Sequence, residues 1–287
     1  MRAQLIIGAA LGVVGTIFLA LMVLAFVVPD YSYAPSTIYN FLKDIVGPVA
    51  AGFGGALAGA YASYSFQERT LASAENKVSL KVYNKAIMVL VNKYAELLTF
   101  KMQVIAPHEN VDLRFVTIPE LIGFEATQEK VAYSICELLL SVGEGDLFKD
   151  LVKAESGYSS AMAAIKERSL IYGEHRARSD QVSIIASGSH DLNFKALVSV
   201  HGIPALVRLY QETEGMISTV DTVVEILFNA LKRLDQECGP KIKDYLGGKV
   251  IVSEINYALS FKRSAKPFYE NSGQLISALE SGVHKNY

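Results

Sequence analysis

The sequence predicts an all-α protein: an N-terminal two-helix transmembrane hairpin continuing into a cytoplasmic helical bundle. Three observations predict it. Two charge-free apolar runs, Leu5–Val28 and Ile45–Phe66, open the chain, and at about 1.5 Å rise per residue each is long enough to cross a hydrocarbon core of roughly 30 Å. No other run of spanning length follows, so residues 67–287 form a water-exposed domain behind a hairpin of residues 1–66. Within that domain apolar residues recur every three or four positions, the period of a helix packed along one face.

Charge sets the expected topology. Arg2 and the α-amino group precede the first run, and the connecting loop 29–44 offers only Lys43 against Asp30 and Asp44. Arg69, Lys77, Lys81 and Lys85 follow the second run. By the positive-inside rule both termini face the cytoplasm and the short loop faces out, which makes the chain a multi-pass inner-membrane protein. The alternative is a secretory signal peptide cleaved near Ser32-Tyr33-Ala34, but the first run, 24 residues, exceeds the roughly 7–15 of a signal peptide's apolar region. Cys136 and Cys238 sit in or beside apolar helical patterns with no Cys or His at ligand spacing, which favours two packed thiols in a reducing compartment over a disulfide.

The second run is built to pack. Gly47, Ala51, Gly55, Gly59 and Ser63 recur every fourth position, with Gly52 and Ala56 beside them. Residues four apart share a helix face, so this stripe is nearly bare backbone and admits another helix closely. Gly8, Gly12, Thr16 and Ala20 repeat the pattern in the first run. Either the two runs pack on each other, or a further small-residue face meets another copy and supports a homo-oligomer. Pro48 reads as a helix start. Neither run holds an ionisable side chain, which argues against a proton relay or voltage sensor.

The next elements follow in order. No breaker occurs between Phe66 and Pro107, so the second run continues as one helix. Leu71, Ala74, Val78, Val82, Ala86, Val89, Leu97, Phe100 and Val104 form one stripe, and Leu80, Tyr83, Ile87, Val91, Tyr94 and Leu98 a second. Two apolar faces predict a central bundle helix from about Val78. Lys77, Lys81 and Lys85 share a face that is solvated or touches anionic headgroups. Thr117-Ile118-Pro119-Glu120 reads as a capping box opening a helix through roughly Val142. Gly143–Asp146 ends it and begins another, with a weak point at Gly157, to about His175. A loop over 176–190 follows, and Gly202-Ile203-Pro204 opens a long helix stopped by Gly239-Pro240. Residues 249–255 suit a short strand, while 255–261 and Ser272–Leu279 favour helix.

No reactive constellation emerges. Of His108, His175, His190, His201 and His284, no two stand at helical i, i+4 spacing, and no HExxH, GxSxG, GxxxxGK[ST] or GxGxxG pattern occurs. Gly188-Ser189-His190-Asp191 reads as a helix cap, and Glu167-Arg168 with Glu174–Arg178 as a charged helix end or a partner patch. We therefore expect no catalytic residues, no metal and no cofactor. A net charge of −2 carries no nucleic-acid footprint. The expected partners are the lipid bilayer, a protein bound through the helical domain and, through the small-residue faces, another copy.

A two-span hairpin with a short outer loop, a Gly/Ala-rich second span ending in Phe66-Gln67-Glu68-Arg69, and an uninterrupted helix into a helical domain resembles the two-transmembrane effectors of bacterial anti-phage systems, the retron-associated kind among them. The resemblance covers roughly the first third of the chain, rests on layout, and transfers no residue as functional. It implies a protein held silent by a partner that on infection damages the inner membrane, an abortive-infection defence. The rival expectations are a passive membrane-tethered scaffold that recruits a cytoplasmic protein, and a membrane-bound enzyme with a polar cleft in its bundle.

Overall fold

A computed structural model describes residues 47–121, 123, 126–181, 194–247, 250, 255 and 262–281, together with Gly15, Asn40, Asp44 and Ile45. The chain divides into two compact units, Met1–Leu71 and Ala72–Tyr287. Among the described residues the regular structure is helical throughout. The expected span 5–28 lies outside the described residues except for Gly15, as does the strand expected over 249–255 apart from Val250 and Ile255.

The first described helix, α1, runs Gly47–Phe100 and continues through a π turn, Lys101–Ile105, into a 3-10 turn, Ala106–His108. The unbroken helix read from the sequence is therefore present, and it ends where Pro107 removes a backbone donor. In the first unit it is uncharged through Phe66. Among the described residues, however, no helix is long and apolar enough to cross a membrane. Glycine, alanine, serine and tyrosine dilute the valine, leucine and phenylalanine of 47–66.

In the second unit α1 enters the core at Tyr83, later than expected, since Val78 is exposed. Tyr83, Ala86, Ile87, Val89, Leu90, Leu97 and Phe100 are buried there with residues of every long helix. The predicted helix from Thr117 to Val142 is corrected: α2 is a single turn, Arg114–Thr117, Ile118 is extended (ψ 120°), and α3 begins only at Ala132 and ends at Ser141. A residue before proline is driven out of the α region, and the side chain of Arg168 takes the carbonyls of Phe115, Ile118 and Pro119. The start of α3 is held from a distance, Glu155 accepting from the N–H groups of Val131 (2.5 Å) and Ala132 (3.3 Å). Gly143, at φ +77°, closes it as the sequence suggested.

Helix α4, Gly145–Gln181, has no weak point at Gly157 and runs beyond His175. A Cβ at Gly157 would stand 3.2 Å from Val223 Cγ2, so the glycine marks a close helix crossing. Helix α5 is Phe194–His201, and Gly202 (φ +76°) turns the chain into α6, Ile203–Lys232, with Pro204 in its first turn as expected. Gly239-Pro240 does not stop the chain there. A π turn, Arg233–Cys238, leads into α7, Gly239–Leu246, which ends at left-handed Gly247. Tyr83 donates its hydroxyl to the Leu234 carbonyl (3.0 Å), and a Cβ at residue 239 would meet that hydroxyl at 2.9 Å, so a side chain there would have to displace it. Helix α8, Ser272–Ser281, agrees with the predicted helix and is capped by Asn271. It shares a small second core with α2, α4, α5 and α6, built on Phe115, Ile171, Leu197, Leu209, Tyr210 and Leu275. Both cysteines are free, and burial pushes the Cys238 thiol up to about 11.

Candidate functional site

The residues singled out for helix packing fall on the first unit. Gly8 and Gly12 lie outside the described residues. Gly47, Ala51, Gly55, Gly59 and Ser63 follow one another along one face of α1, and Gly55, Gly59 and Ser63 are exposed. Nothing lies within 4 Å of where a Cβ would stand at Gly52, Gly54, Gly55 or Gly59. Phe53 (57% exposed), Leu57, Tyr61 (75%) and Tyr64 run down the opposite side of the same turns. This half of α1 thus carries a bare-backbone face and an aromatic face, neither covered by described residues.

The second unit contains a set of buried charges that sequence reasoning missed. Arg168 is 1% exposed and donates to the carbonyls of Phe115, Ile118 and Pro119 and to Thr213 Oγ1 (3.2 Å), with its guanidinium 4.6 Å from the Tyr172 ring centre. Burial lowers its pKa to about 10, which leaves it charged at neutral pH. Lys101, directed inward from the π turn, pairs with Asp221 at 2.6 Å and donates to the Lys262 carbonyl, while Asp221 also accepts from Ser264. Arg114 pairs with Glu214 through two guanidinium nitrogens and reaches the Ala265 carbonyl (2.8 Å). The Lys101–Asp221 and Arg114–Glu214 pairs thereby fasten the segment 262–265 to the bundle. Their shared signature in the sequence is only a charge on an otherwise apolar stripe.

Lys93, 2% exposed, donates to the Glu129 carbonyl (2.5 Å) and lies 3.9 Å from Glu155; burial holds its pKa below the usual lysine value. Tyr158 donates to Glu96, which also accepts from Thr127 Oγ1 (2.6 Å), and burial with that bond raises the phenol strongly. These bonds join α1, α4 and the loop before α3. An open groove of about 270 Å³ is lined by Glu225, Phe228, Asn229 and Arg263, with Arg263 and Glu225 paired at 2.6 Å.

The histidines give one result that spacing did not foretell. His175 of α4 and His201 of α5 meet with 3.1 Å between their Nδ1 atoms. Burial holds both below the ordinary histidine range, with His201 and Arg178 adding to the effect at His175, which reaches about 4. Among the described residues, no group of three or more His, Cys, Asp or Glu is placed to hold a metal ion. The cluster Gly188–Asp191 lies outside the described residues.

The chain matches no known protein-family model, no curated protein and no solved structure.

Proposed function

We propose that the protein is a membrane-anchored effector: its N-terminal helices act on the inner-membrane bilayer, and its helical unit is the restraint, held by a protein partner until release. In this reading the outcome is an abortive-infection type of phage defence. The observation that carries it is the division within α1. From Tyr83 onward one face of the helix is buried in the core, whereas its uncharged half exposes both a glycine face and an aromatic face. A helix that is charge-free yet too poor in large apolar groups to span alone is stabilised in lipid by close backbone packing against other helices. Reassociation of such helices among copies leaks the membrane without any intramembrane charge.

The test is inducible expression of the full chain in bacteria, following membrane potential and dye entry beside Gly55→Leu, Gly59→Leu and a fragment beginning at Ala72. The expected result is rapid depolarisation by the parent alone, with the leucine variants inserted but inactive. Fully active leucine variants would refute the packing mechanism. An intact membrane in every case, with partner binding kept by the fragment, would replace the effector with a tethered scaffold.

A further inference from the structure

His175 lies six residues before the end of α4, and His201 is the last residue of α5. Their rings stand 4.7 Å apart between centres, at 47° between planes, with the two Nδ1 atoms at hydrogen-bond distance. His175 is 7% exposed and His201 half-buried. A neutral imidazole has one N–H and one lone pair, so this contact needs one ring to donate and the other to accept. One added proton keeps the contact, because an imidazolium still donates into a neutral ring. A second proton places hydrogen on both Nδ1 atoms, and two cations then face each other across a hydrogen-bond distance.

The surroundings oppose that second proton. Arg178 repels it at both rings and burial penalises the charge, while Glu174 and a hydrogen bond with the backbone of Ala205, at the start of α6, act more weakly in its favour at His175. Arg208 on α6 is paired with Glu167 at 3.7 Å. Helix α5 is also seated in the second core, where Leu197 is buried and Val198 half-buried beside Leu206, Leu275, Ala278 and Leu279. We propose that His175 and His201 form a proton-operated latch, closed while the pair shares one hydrogen and opened by the second proton, which frees α5 and loosens the small core it shares with α8. The latch stands independently of the membrane reading.

The test is hydrogen exchange of the full-length protein in detergent micelles at pH 7.5, 6.0 and 4.5, corrected for the intrinsic rate. Residues 194–201 are expected to lose at least tenfold in protection between pH 7.5 and 4.5, while 216–231 in the main core keep theirs. His175→Phe and His201→Phe, which retain an aromatic ring, are expected to flatten that dependence. Constant protection of α5 in the parent, or an unchanged pH profile in folded variants, would overturn the latch. Protection of α5 by added Zn²⁺ at pH 7.5, lost in both variants, would overturn it in favour of a metal site. If a variant fails to fold, the parent's profile still decides.

Discussion

Replacement of Arg168 by methionine tests whether a buried cation, rather than the apolar core, shapes the connection between α2 and α3. The guanidinium is enclosed and donates to Phe115, Ile118 and Pro119 carbonyls and to Thr213. Methionine fills much of the volume but leaves three carbonyls without this donor, each worth about 1–3 kcal/mol when buried and unsatisfied. Relief of the guanidinium's own desolvation offsets part of that, so the net loss is about 3–5 kcal/mol, a large share of the roughly 5–15 kcal/mol that holds a typical domain. Urea denaturation of the purified full chain in micelles, followed by circular dichroism, should show a midpoint lower by roughly 1–2.5 M, taking a slope of about 2–3 kcal/mol/M. Arg168→Lys, which regains one or two of the bonds, should fall between. A methionine variant within about 1 kcal/mol of the parent would refute the reasoning, because it would mean that the loop satisfies its carbonyls without the arginine.

Other outcomes follow from the same geometry. Glu155→Leu removes both the cap of α3 and the charge facing Lys93, and should destabilise by about 3 kcal/mol, with Glu155→Gln milder because it still accepts a hydrogen bond. Gly157→Leu should lower stability by about 1–3 kcal/mol through overpacking against Val223, whereas Gly215→Ala, with open space at its Cβ, should raise it by about 0.5–1 kcal/mol; thermal unfolding of both distinguishes a crossing glycine from an idle one. Because the folded pKa of His175, about 4, lies below the unfolded value near 6.5, its contribution is fully present above pH 6.5. It is lost as pH falls, up to about 3 kcal/mol by pH 4. Thermal midpoints from pH 7.5 to 4.5 should therefore drop more steeply in the parent than in His175→Phe.

Much of the fold was legible in the residue order because helices declare themselves locally. The absence of a breaker between Phe66 and Pro107, the glycines at 143 and 202, and the proline at 204 each act within a turn of their own position. Several of the misreadings share one cause, which is that distant groups settled local ambiguities. Thr117–Glu120 has the form of a capping box, yet Arg168, some 50 positions away, claims the carbonyls a helix would have used. Gly157 resembles a weak point until Val223 is seen against it, and Gly239-Pro240 resembles a stop until Tyr83 is found at Leu234. Likewise the meeting of His175 with His201 has no periodic signal, because two different helix ends create it.

The sequence by itself determined the all-helical class and the small-residue stripe of α1, since both follow from which side chains a helix places on one face. Only the tertiary structure decided which charges are buried, where α3 begins and which histidines touch. Those depend on groups brought together across tens of positions by packing, and a chain's order records them only through the fold.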